Sequence, residues 1–362
     1  DEDWDMIFGG YPHCGSNNRQ DRNMDWEMER GLNAHLTNNV GWENLKPHQV
    51  WFPCMGCKES YCNKRELCSS TKLYDENSCF ELPQDLDRLK KIMANQSEGE
   101  QERTKWVVKR DSPTLHAHKG TGIQYIETTT QLPDETEMAT NEYVVQPFVQ
   151  QAMGKGKYHR RFEVRVLLAV TSTAPLRAYK FRKPWGIFAF EEYKHGTELH
   201  SRPCMLDTHT HTKGCESKGM LDSERGPWSL EKIFSLMEAS DSIQRRFNQS
   251  SSERLAQVIQ ASQPVVTSHI VNKGITKSGA MCFSFMRADM AVMPDGTASI
   301  YEINEFPFVN EKAPILQTTI GDAYRDLFRM IGLDVPPIPA ELRGAYERTH
   351  LGGWIPLINN EN

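Results

Sequence analysis

Apolar residues in the second half of the chain come in short runs bounded by turn residues, a pattern typical of β-strands. Two such runs, FEVRVLLAVTS and LRAYKFR, are joined by a proline-containing turn. A third segment, FSFMRADMAVMPDGTASIYEIN, predicts a hairpin whose strands meet around Pro294-Asp295-Gly296. Upstream, KWVVK and EYVVQPFVQ also predict strands, the second interrupted by Pro147, which cannot donate to a ladder.

Helical spacing of apolar residues marks four other segments. QDLDRLKKIMA, SLEKIFSLMEA and SERLAQVIQASQPVV all carry apolar residues at intervals of three and four. GDAYRDLFRMIG predicts an amphipathic helix that ends at Gly332. Helices combined with antiparallel strands, without an internal repeat, indicate the α+β fold class.

The bulk composition excludes several kinds of partner. The chain has 362 residues, 38% of them hydrophobic and 25% charged, which is enough for a large core divided into two or three subdomains. Its net charge of −6 gives no basic field, so we expect no nucleic-acid partner. No apolar run approaches the roughly 20 residues that span a bilayer. The sequence opens at DEDWDM, and we expect that a targeting or anchor segment has been removed or lies outside this chain.

The nine cysteines are unevenly distributed, and five of them lie in the segment CMGCKESYCNKRELCSSTKLYDENSC. Their irregular spacing favours a disulfide-stapled insertion of a secreted protein, with a zinc site and free thiols as the alternatives. Two glycosylation sequons, at Asn95 and Asn248, support the same interpretation. We therefore expect residence in the secretory-pathway lumen or outside the cell. We also expect Cys282, in an apolar strand-like run, to be the odd, unpaired thiol.

The predicted hairpin carries a group of oxygen-bearing side chains. Glu302 and Asn304 are two residues apart in a strand, so their side chains share a face. Antiparallel pairing across the turn brings Asp289 near both of them. Three oxygen ligands suit Mg²⁺ rather than zinc, and Mg²⁺ commonly binds phosphate oxygens as well. The alternative is a solvated sheet face.

Two features upstream of the hairpin suit phosphate. Lys109 ends the predicted strand KWVVK, and the turn KGTG can expose backbone N–H groups. Each feature alone is unspecific, because glycine-bearing turns and strand-terminal lysines are common. The order along the chain is more informative. A strand lysine, a glycine turn, the apolar strand VVQPF and the segment RFEVR precede an aspartate and a Glu-x-Asn motif.

This series of motifs resembles the tubulin–tyrosine ligase-like branch of the ATP-grasp ligases over roughly residues 45–335. WVVKRDSPTLHAHKGTGI is similar to the strand lysine and glycine loop of the family, and EYVVQPFV to its adenine hinge. RFEVRVLLAVTSTAPLRAYKFR resembles its Lys-Phe-Asp-x-Arg strand and the arginine-bearing strand that follows. MRADMAVMPDGTASIYEINEFP is similar to its metal-binding hairpin.

The resemblance implies an ATP-grasp fold in which two subdomains clamp a nucleotide. A Cys-rich N-terminal subdomain would cover 1–83, the central subdomain 84–150, the C-terminal subdomain 151–335 and a tail 336–362.

The resemblance also implies the cofactors ATP and Mg²⁺ and assigns residue roles. The metal would be held by Asp289, Glu302 and Asn304. Nucleotide contacts would come from Lys109, Lys119, Gly120, Gly122, Gln146 and Phe148. The implied catalytic residues are Arg165, Arg182 and Glu163, with the two arginines clamping the transferred phosphate. The alternative for the arginines is a salt-bridge network on the sheet.

Several positions depart from the family pattern. Arg161 and Glu163 stand where the family has lysine and aspartate, and Pro147 replaces a basic residue after the hinge glutamine. Lys119 takes the place of an arginine. The segment MLDTHTHT stands for the family's HLTN, with Asp207 and Thr208 at its Thr-Asn positions and with His209 and His211 as extra candidates for metal binding or catalysis.

The implied activity is that of an ATP-dependent carboxylate–amine ligase. It would activate a carboxylate as an acyl phosphate and form a peptide or isopeptide bond to an amino-acid co-substrate, for which glutamate is a candidate. The alternatives are an ATP-binding pseudoenzyme acting as a lumenal binding protein and a phosphoryl transferase on the same scaffold. The segment GKGKYHRRFEVR is rich in basic residues, so we expect a protein or peptide acceptor of acidic character.

Overall fold

The computed structural model describes residues 6–8, 50–52, 60–95, 105–111, 123–149, 154, 156–194, 203–205, 208, 215, 222–272, 274, 281–305 and 314–359. The strands in these ranges are β1 Met6–Phe8, β2 Val50–Phe52, β3 Phe80–Leu82, β4 Trp106–Asp111, β5 Ile123–Ile126, β6 Glu142–Pro147, β7 Phe162–Thr173, β8 Leu176–Phe181, β9 Trp185–Phe188, β10 Trp228–Ser229, β11 Met281–Cys282, β12 Ser284–Val292, β13 Ala298–Glu305 and β14 Trp354–Asn359.

The helices in the same ranges are α1 Lys64–Lys72, α2 Leu86–Asn95, α3 Glu135–Thr140, α4 Asp222–Arg225, α5 Leu230–Leu236, α6 Asp241–Asn272, α7 Pro314–Met330 and α8 Arg343–Thr349. Each helix predicted from apolar spacing is present, and α6 runs through Pro264 for 32 residues. Within the described residues, no helix combines the length and the apolar character needed to cross a membrane. Helices and antiparallel sheets together confirm the α+β class.

One sheet, called the smaller sheet below, has four antiparallel strands in the order β3-β6-β4-β5. Trp106, Val108 and Val145 are buried in its apolar core, to which α2 contributes Leu89. β4 continues two residues beyond the predicted strand. Lys109 therefore lies within β4, paired with strands on both sides, and does not end it as the sequence predicts.

The largest sheet has the order β10-β9-β7-β12-β13, with β8 beside β7 and β14 beside β8. β7 is buried over most of its length and β12 over all of it, because both faces of the sheet are covered. The long helix α6 covers one face with apolar residues such as Phe247, Leu255 and Val258. The predicted hairpin is confirmed as β12 and β13, with Asp289 opposite Glu302.

The segment assigned from the sequence to a C-terminal tail carries regular structure in its described part. β14 pairs antiparallel with β8, so it extends the largest sheet. The Trp354 ring is 2% exposed and contacts Phe181 edge to face at 5.2 Å. This segment is thus integral to the C-terminal sheet.

The predicted disulfide-rich character is borne out in the described residues. Disulfides link Cys68 to Cys79 and Cys204 to Cys215, and Cys62 is also disulfide-bonded. The prediction that Cys282 is an unpaired thiol is wrong, because this cysteine is disulfide-bonded as well. It lies at the end of the short strand β11, half-buried, rather than inside a fully buried strand. Cys14, Cys54 and Cys57 lie outside the described residues.

A buried carboxylate ties α8 to the sheet. Glu347 is 3% exposed and accepts hydrogen bonds from Arg177 Nε at 2.8 Å and Nη2 at 3.1 Å. It also accepts from Thr171 Oγ1 at 2.8 Å and from the Tyr179 hydroxyl at 2.7 Å. Burial and the neighbouring Glu347 charge raise the pKa of Tyr179 well above its usual value, so the phenol stays protonated as the donor.

We predict that Glu347→Ala lowers the free energy of unfolding by about 3–5 kcal/mol, because it leaves the buried Arg177 guanidinium without a counter-charge. The matched control is Glu341→Ala on the exposed turn before α8, which should change stability by no more than about 0.5 kcal/mol. Urea denaturation followed by circular dichroism measures both. Equal losses in the two variants would contradict the proposed anchoring role.

Candidate active site

The candidate site lies on the face of the largest sheet where β7, β12 and β13 run side by side. Asp289 on β12 is directly opposite Arg165 on β7 and directly opposite Glu302 on β13. Directly opposed residues of antiparallel strands point to the same face. Glu163, two residues before Arg165 on β7, lies on the same face. The pairing therefore brings together four of the predicted site residues.

Glu163 and Arg165 form a buried ion pair on this face, with Arg165 Nε 2.8 Å from Glu163 Oε1. The second carboxylate oxygen of Glu163 accepts from Thr208 Oγ1 at 2.9 Å. Burial alone would raise the pKa of Glu163, but the charges of Arg165 and Arg287 outweigh it and lower the pKa to about 2. Glu163 is thus a fixed carboxylate that orients Arg165, the salt-bridge arrangement that the sequence left as an alternative.

Arg287 is a site residue that the motif analysis missed. It lies two residues before Asp289 on β12, and its guanidinium binds both oxygens of that carboxylate, Nε at 2.6 Å and Nη2 at 2.7 Å. Burial raises the pKa of Asp289 to about 6 even though the Arg287 charge opposes the shift. The spacing of two residues in the segment MRAD was a signal for this pair, since such residues share a face of a strand.

The predicted magnesium ligands differ in how well they suit a cation. Glu302 is half-buried, and its carboxylate makes no hydrogen bond or ion pair with the residues described here. Asn304 donates its Nδ2 to Asp289 Oδ2 at 3.0 Å, which leaves its Oδ1 for a cation. Asp289 does not fit in the same way, because both of its oxygens accept from Arg287. Over the described ranges, no group of three or more His, Cys, Asp or Glu side chains could hold a metal ion.

A β-bulge at Tyr301 links the two sheets. Asp289 pairs with Glu302 but Met290 pairs with Ile300, so Tyr301 is the extra residue on β13. Its carbonyl accepts from Lys109 Nζ at 3.2 Å, and the same amine donates to Gln146 Oε1 at 2.8 Å. Lys109 of the smaller sheet therefore reaches the strand that carries Glu302. Burial lowers the pKa of Lys109 to about 8, with Glu302 opposing the shift.

Phe148, in the predicted adenine hinge, packs against aromatic residues from other segments. The Phe148 ring lies parallel to Tyr193 at 6.5 Å and edge to face with Tyr125 at 6.0 Å. The Arg161 guanidinium lies 5.2 Å from the centre of the Phe148 ring. The backbone N–H of Phe148 donates to the Lys105 carbonyl at 2.6 Å. Phe148 can therefore offer a nucleotide its ring and carbonyl, whereas its N–H is used in the sheet.

Arg182 is not part of the buried charged group. β7 pairs Leu168 with Lys180 and Arg165 with Trp185, so the partner strand has two extra residues in the bend between β8 and β9. Arg182 lies in that bend with an exposed side chain, and its backbone N–H donates to the Gly353 carbonyl. The predicted Lys119, Gly120, Gly122, Asp207, His209 and His211 lie outside the described residues.

Comparison with known proteins supports the family resemblance. The family model described as "Tubulin-tyrosine ligase family" matches residues 52–342. Tubulin monoglutamylase TTLL4 of Mus musculus is 25% identical over 333 residues, covering 87% of this chain and 26% of the relative. The same enzyme of Homo sapiens is 24% identical over 335 residues, with the same coverage of 87% and 26%. Tubulin polyglutamylase ttll-4 of Caenorhabditis elegans is 19% identical over 220 residues, covering 60% of this chain and 35% of the relative.

The chain thus spans 26% of the length of the two mammalian relatives. The family match, in contrast, covers most of the chain, from the end of β2 to the start of α8, and includes every described residue of the charged group on β7, β12 and β13. This chain belongs to the tubulin-tyrosine ligase family and has its ATP-grasp fold.

Proposed function

We propose that this protein is an ATP-dependent ligase that joins glutamate to a protein or peptide acceptor. The observation that carries the proposal is the hydrogen bond from Lys109 Nζ to the Tyr301 carbonyl on β13, the strand that also holds Glu302 and Asn304. A lysine amine next to a strand whose carboxylate has no partner among the described residues, and which also carries an amide oxygen, is suited to bind a triphosphate together with a divalent cation. Membership in the ligase family supports ATP as the co-substrate.

The residues of the charged group divide into two roles in this proposal. Glu302 and Asn304 would hold Mg²⁺, which supplies positive charge to the phosphates when it is bound. Lys109 binds a phosphate oxygen, and Arg165, fixed by Glu163, faces the negative charge that develops during transfer. A carboxylate oxygen attacks the terminal phosphorus and ADP leaves. The amine then attacks the acyl carbon, and inorganic phosphate leaves as the amide forms.

Glutamate as the amino acid is supported by the relatives, which are tubulin monoglutamylases and a tubulin polyglutamylase. An acidic co-substrate also suits the cationic side chains at the site. Arg161 lies between the Phe148 and Tyr301 rings, with its guanidinium 5.2 Å and 5.9 Å from their centres. Arg165, held by Glu163, is a second guanidinium on this face.

The acidic character of the acceptor stays a prediction. Lys157 is exposed but forms an ion pair with Glu224 at 3.0 Å, which neutralises part of the expected basic rim. Arg160 donates to the Phe190 carbonyl and so is held against the protein. Lys155 lies outside the described residues. Within the described part of this segment, Arg161 and Arg165 are the basic residues placed against the site, and Arg165 is already paired with Glu163.

The secretory compartment is likewise a proposal, and disulfides support it more than glycosylation does. All six cysteines in the described ranges are disulfide-bonded, a state typical of oxidising compartments. The Asn248 sequon, however, lies on α6, where the Ser250 hydroxyl is buried and accepts from the Ala298 N–H at 2.9 Å. That site is a poor acceptor because glycosylated sequons are usually found in surface loops.

We predict that the purified chain releases ADP and adds glutamate to acidic peptides in an acceptor panel, as measured by mass spectrometry. Glu302→Gln should reduce both by on the order of a hundredfold or more, because a cation ligand is lost. Glu341→Gln, at an exposed position outside the charged group, is the matched control and should be fully active.

Undiminished turnover by Glu302→Gln, or no binding of ATP by the unaltered chain, would refute the proposal. ATP binding without turnover would identify a binding protein, and acceptors that gain a phosphate would identify a phosphoryl transferase. Equal use of neutral and acidic acceptors would refute the acidic preference alone.

We predict that the affinity for ATP falls about tenfold between pH 7 and pH 9, because Lys109 with a pKa of about 8 must take up a proton to bind phosphate. Calorimetry in buffers with different ionisation enthalpies measures this proton uptake. Lys109→Arg is the control, since its guanidinium stays charged over the whole range and should remove the pH dependence. The same fall in both proteins would show that another group titrates.

We predict that titration of the denatured, unreduced protein finds no more than three free thiols among the nine cysteines, because six of them are disulfide-bonded. After reduction, all nine should react. Alkylation followed by mass spectrometry assigns the free positions. Free Cys68, Cys79, Cys204 or Cys215 in protein isolated from its native cells with thiols blocked at lysis would contradict the proposed compartment.

A further inference from the structure

Arg287 binds the carboxylate of Asp289, which the sequence predicts to be a ligand of the divalent cation at the nucleotide site. Its fork binds both oxygens of Asp289, Nε to Oδ1 at 2.6 Å and Nη2 to Oδ2 at 2.7 Å. Asn304 adds a third hydrogen bond to Oδ2 at 3.0 Å. Two-point contact of this kind is strong and directional. The Asp289 carboxylate is therefore saturated by side chains of the chain itself.

The pair is built into the middle of the sheet. Arg287 is 8% exposed and Asp289 is 3% exposed. Arg287 is flanked in register by Leu167 on β7 and Asn304 on β13, so it lies on the same face as Asp289, in the neighbouring cross-strand row. Withdrawal of Arg287 would leave a buried charge on each partner without compensation, which is costly. A cation that binds Asp289 would therefore have to offset the free-energy cost of separating this ion pair.

The charges around the Arg287–Asp289 pair also favour one bound divalent cation over several. Three carboxylates on this face are met by four cationic side chains: Glu163, Asp289 and Glu302 against Arg165, Arg287, Lys109 and Arg161. A site for several divalent cations needs an excess of carboxylates, and here the positive groups are already in the majority. Among these carboxylates, Glu302 is the one that has no hydrogen bond or ion pair with a described residue.

We propose that the Arg287 guanidinium takes the place of a divalent cation at Asp289, so that ATP binds with a single divalent cation, held by Glu302 and Asn304. This inference rests on the proposed function, because it concerns the cation of that same nucleotide site. Arg287 then supplies permanently a positive charge that would otherwise depend on a second ion.

The experiment counts metal ions bound together with nucleotide. The full chain is dialysed to equilibrium against Mn²⁺ and a non-hydrolysable ATP analogue, and bound Mn²⁺ and bound nucleotide are measured separately. We expect a ratio of one Mn²⁺ to one nucleotide. Glu302→Gln should lose the bound Mn²⁺. A ratio of two in the unaltered protein would overturn the proposal.

The decisive variant removes the pair as a whole. Arg287→Ala alone exposes Asp289 to the site, so it should raise the ratio toward two, but it also leaves a buried charge unpaired and can fail to fold. Arg287→Ala combined with Asp289→Ala removes both charges, which buried pairs tolerate better than the loss of one partner. We expect this double variant to keep a ratio of one, with an affinity for Mn²⁺ that changes by less than about threefold.

Loss of Mn²⁺ from the folded double variant would show that Asp289 is a cation ligand and would overturn the inference. Circular dichroism monitors folding. If the alanine double variant is unfolded, Arg287→Met combined with Asp289→Leu serves instead, because it removes both charges and fills the space with apolar side chains; it should likewise keep a ratio of one. If the unaltered chain binds no nucleotide, the proposed function fails and this inference fails with it. If nucleotide binds with two Mn²⁺, only the inference about Arg287 fails.

Discussion

The antiparallel pairing of β12 between β7 and β13 determines where the charged groups of the site can lie. Directly opposed residues share a face, so Arg165, Asp289 and Glu302 form one row across three strands. A slip of one residue would turn Asp289 into the apolar core and bring Ala288 or Met290 out of it, and both of these are fully buried. The apolar face of β12 thus fixes the register, and the register fixes the site.

The buried ion pairs on this face are poorly explained by stability alone. Removing charges from water costs about as much as their mutual attraction returns, and apolar residues would fill the space as well. Each buried carboxylate is nevertheless fully partnered, Glu163 by Arg165 and Thr208 and Asp289 by Arg287 and Asn304. Such complete hydrogen bonding holds side chains in one geometry, which is what a site for a charged ligand requires.

The bulge at Tyr301 connects this face to the smaller sheet. An extra residue in β13 turns one carbonyl out of the ladder, and Lys109 donates to it across the space between the sheets. Burial lowers the pKa of Lys109 to about 8, because the nearby Glu302 charge compensates only part of the cost of burying the ammonium group. A phosphate bound between the two sheets would supply the missing negative charge. Nucleotide binding would then stabilise the contact between Lys109 of the smaller sheet and β13 of the largest sheet.

The sequence by itself determined the hairpin, the shared face of Glu302 and Asn304, the helices and the order of motifs, because each depends on a local period or a turn. The sequence also shows that Arg287 and Asp289 are two residues apart in a predicted strand and so share a face. Whether their side chains pair or face water depends on the strands on either side. Tertiary structure alone decided that Cys282 is disulfide-bonded, that Lys109 lies inside β4 and reaches Tyr301, and that Arg182 falls in an exposed bend. These features depend on contacts between residues far apart in the chain, and a local pattern contains no information about which distant segment will lie against it.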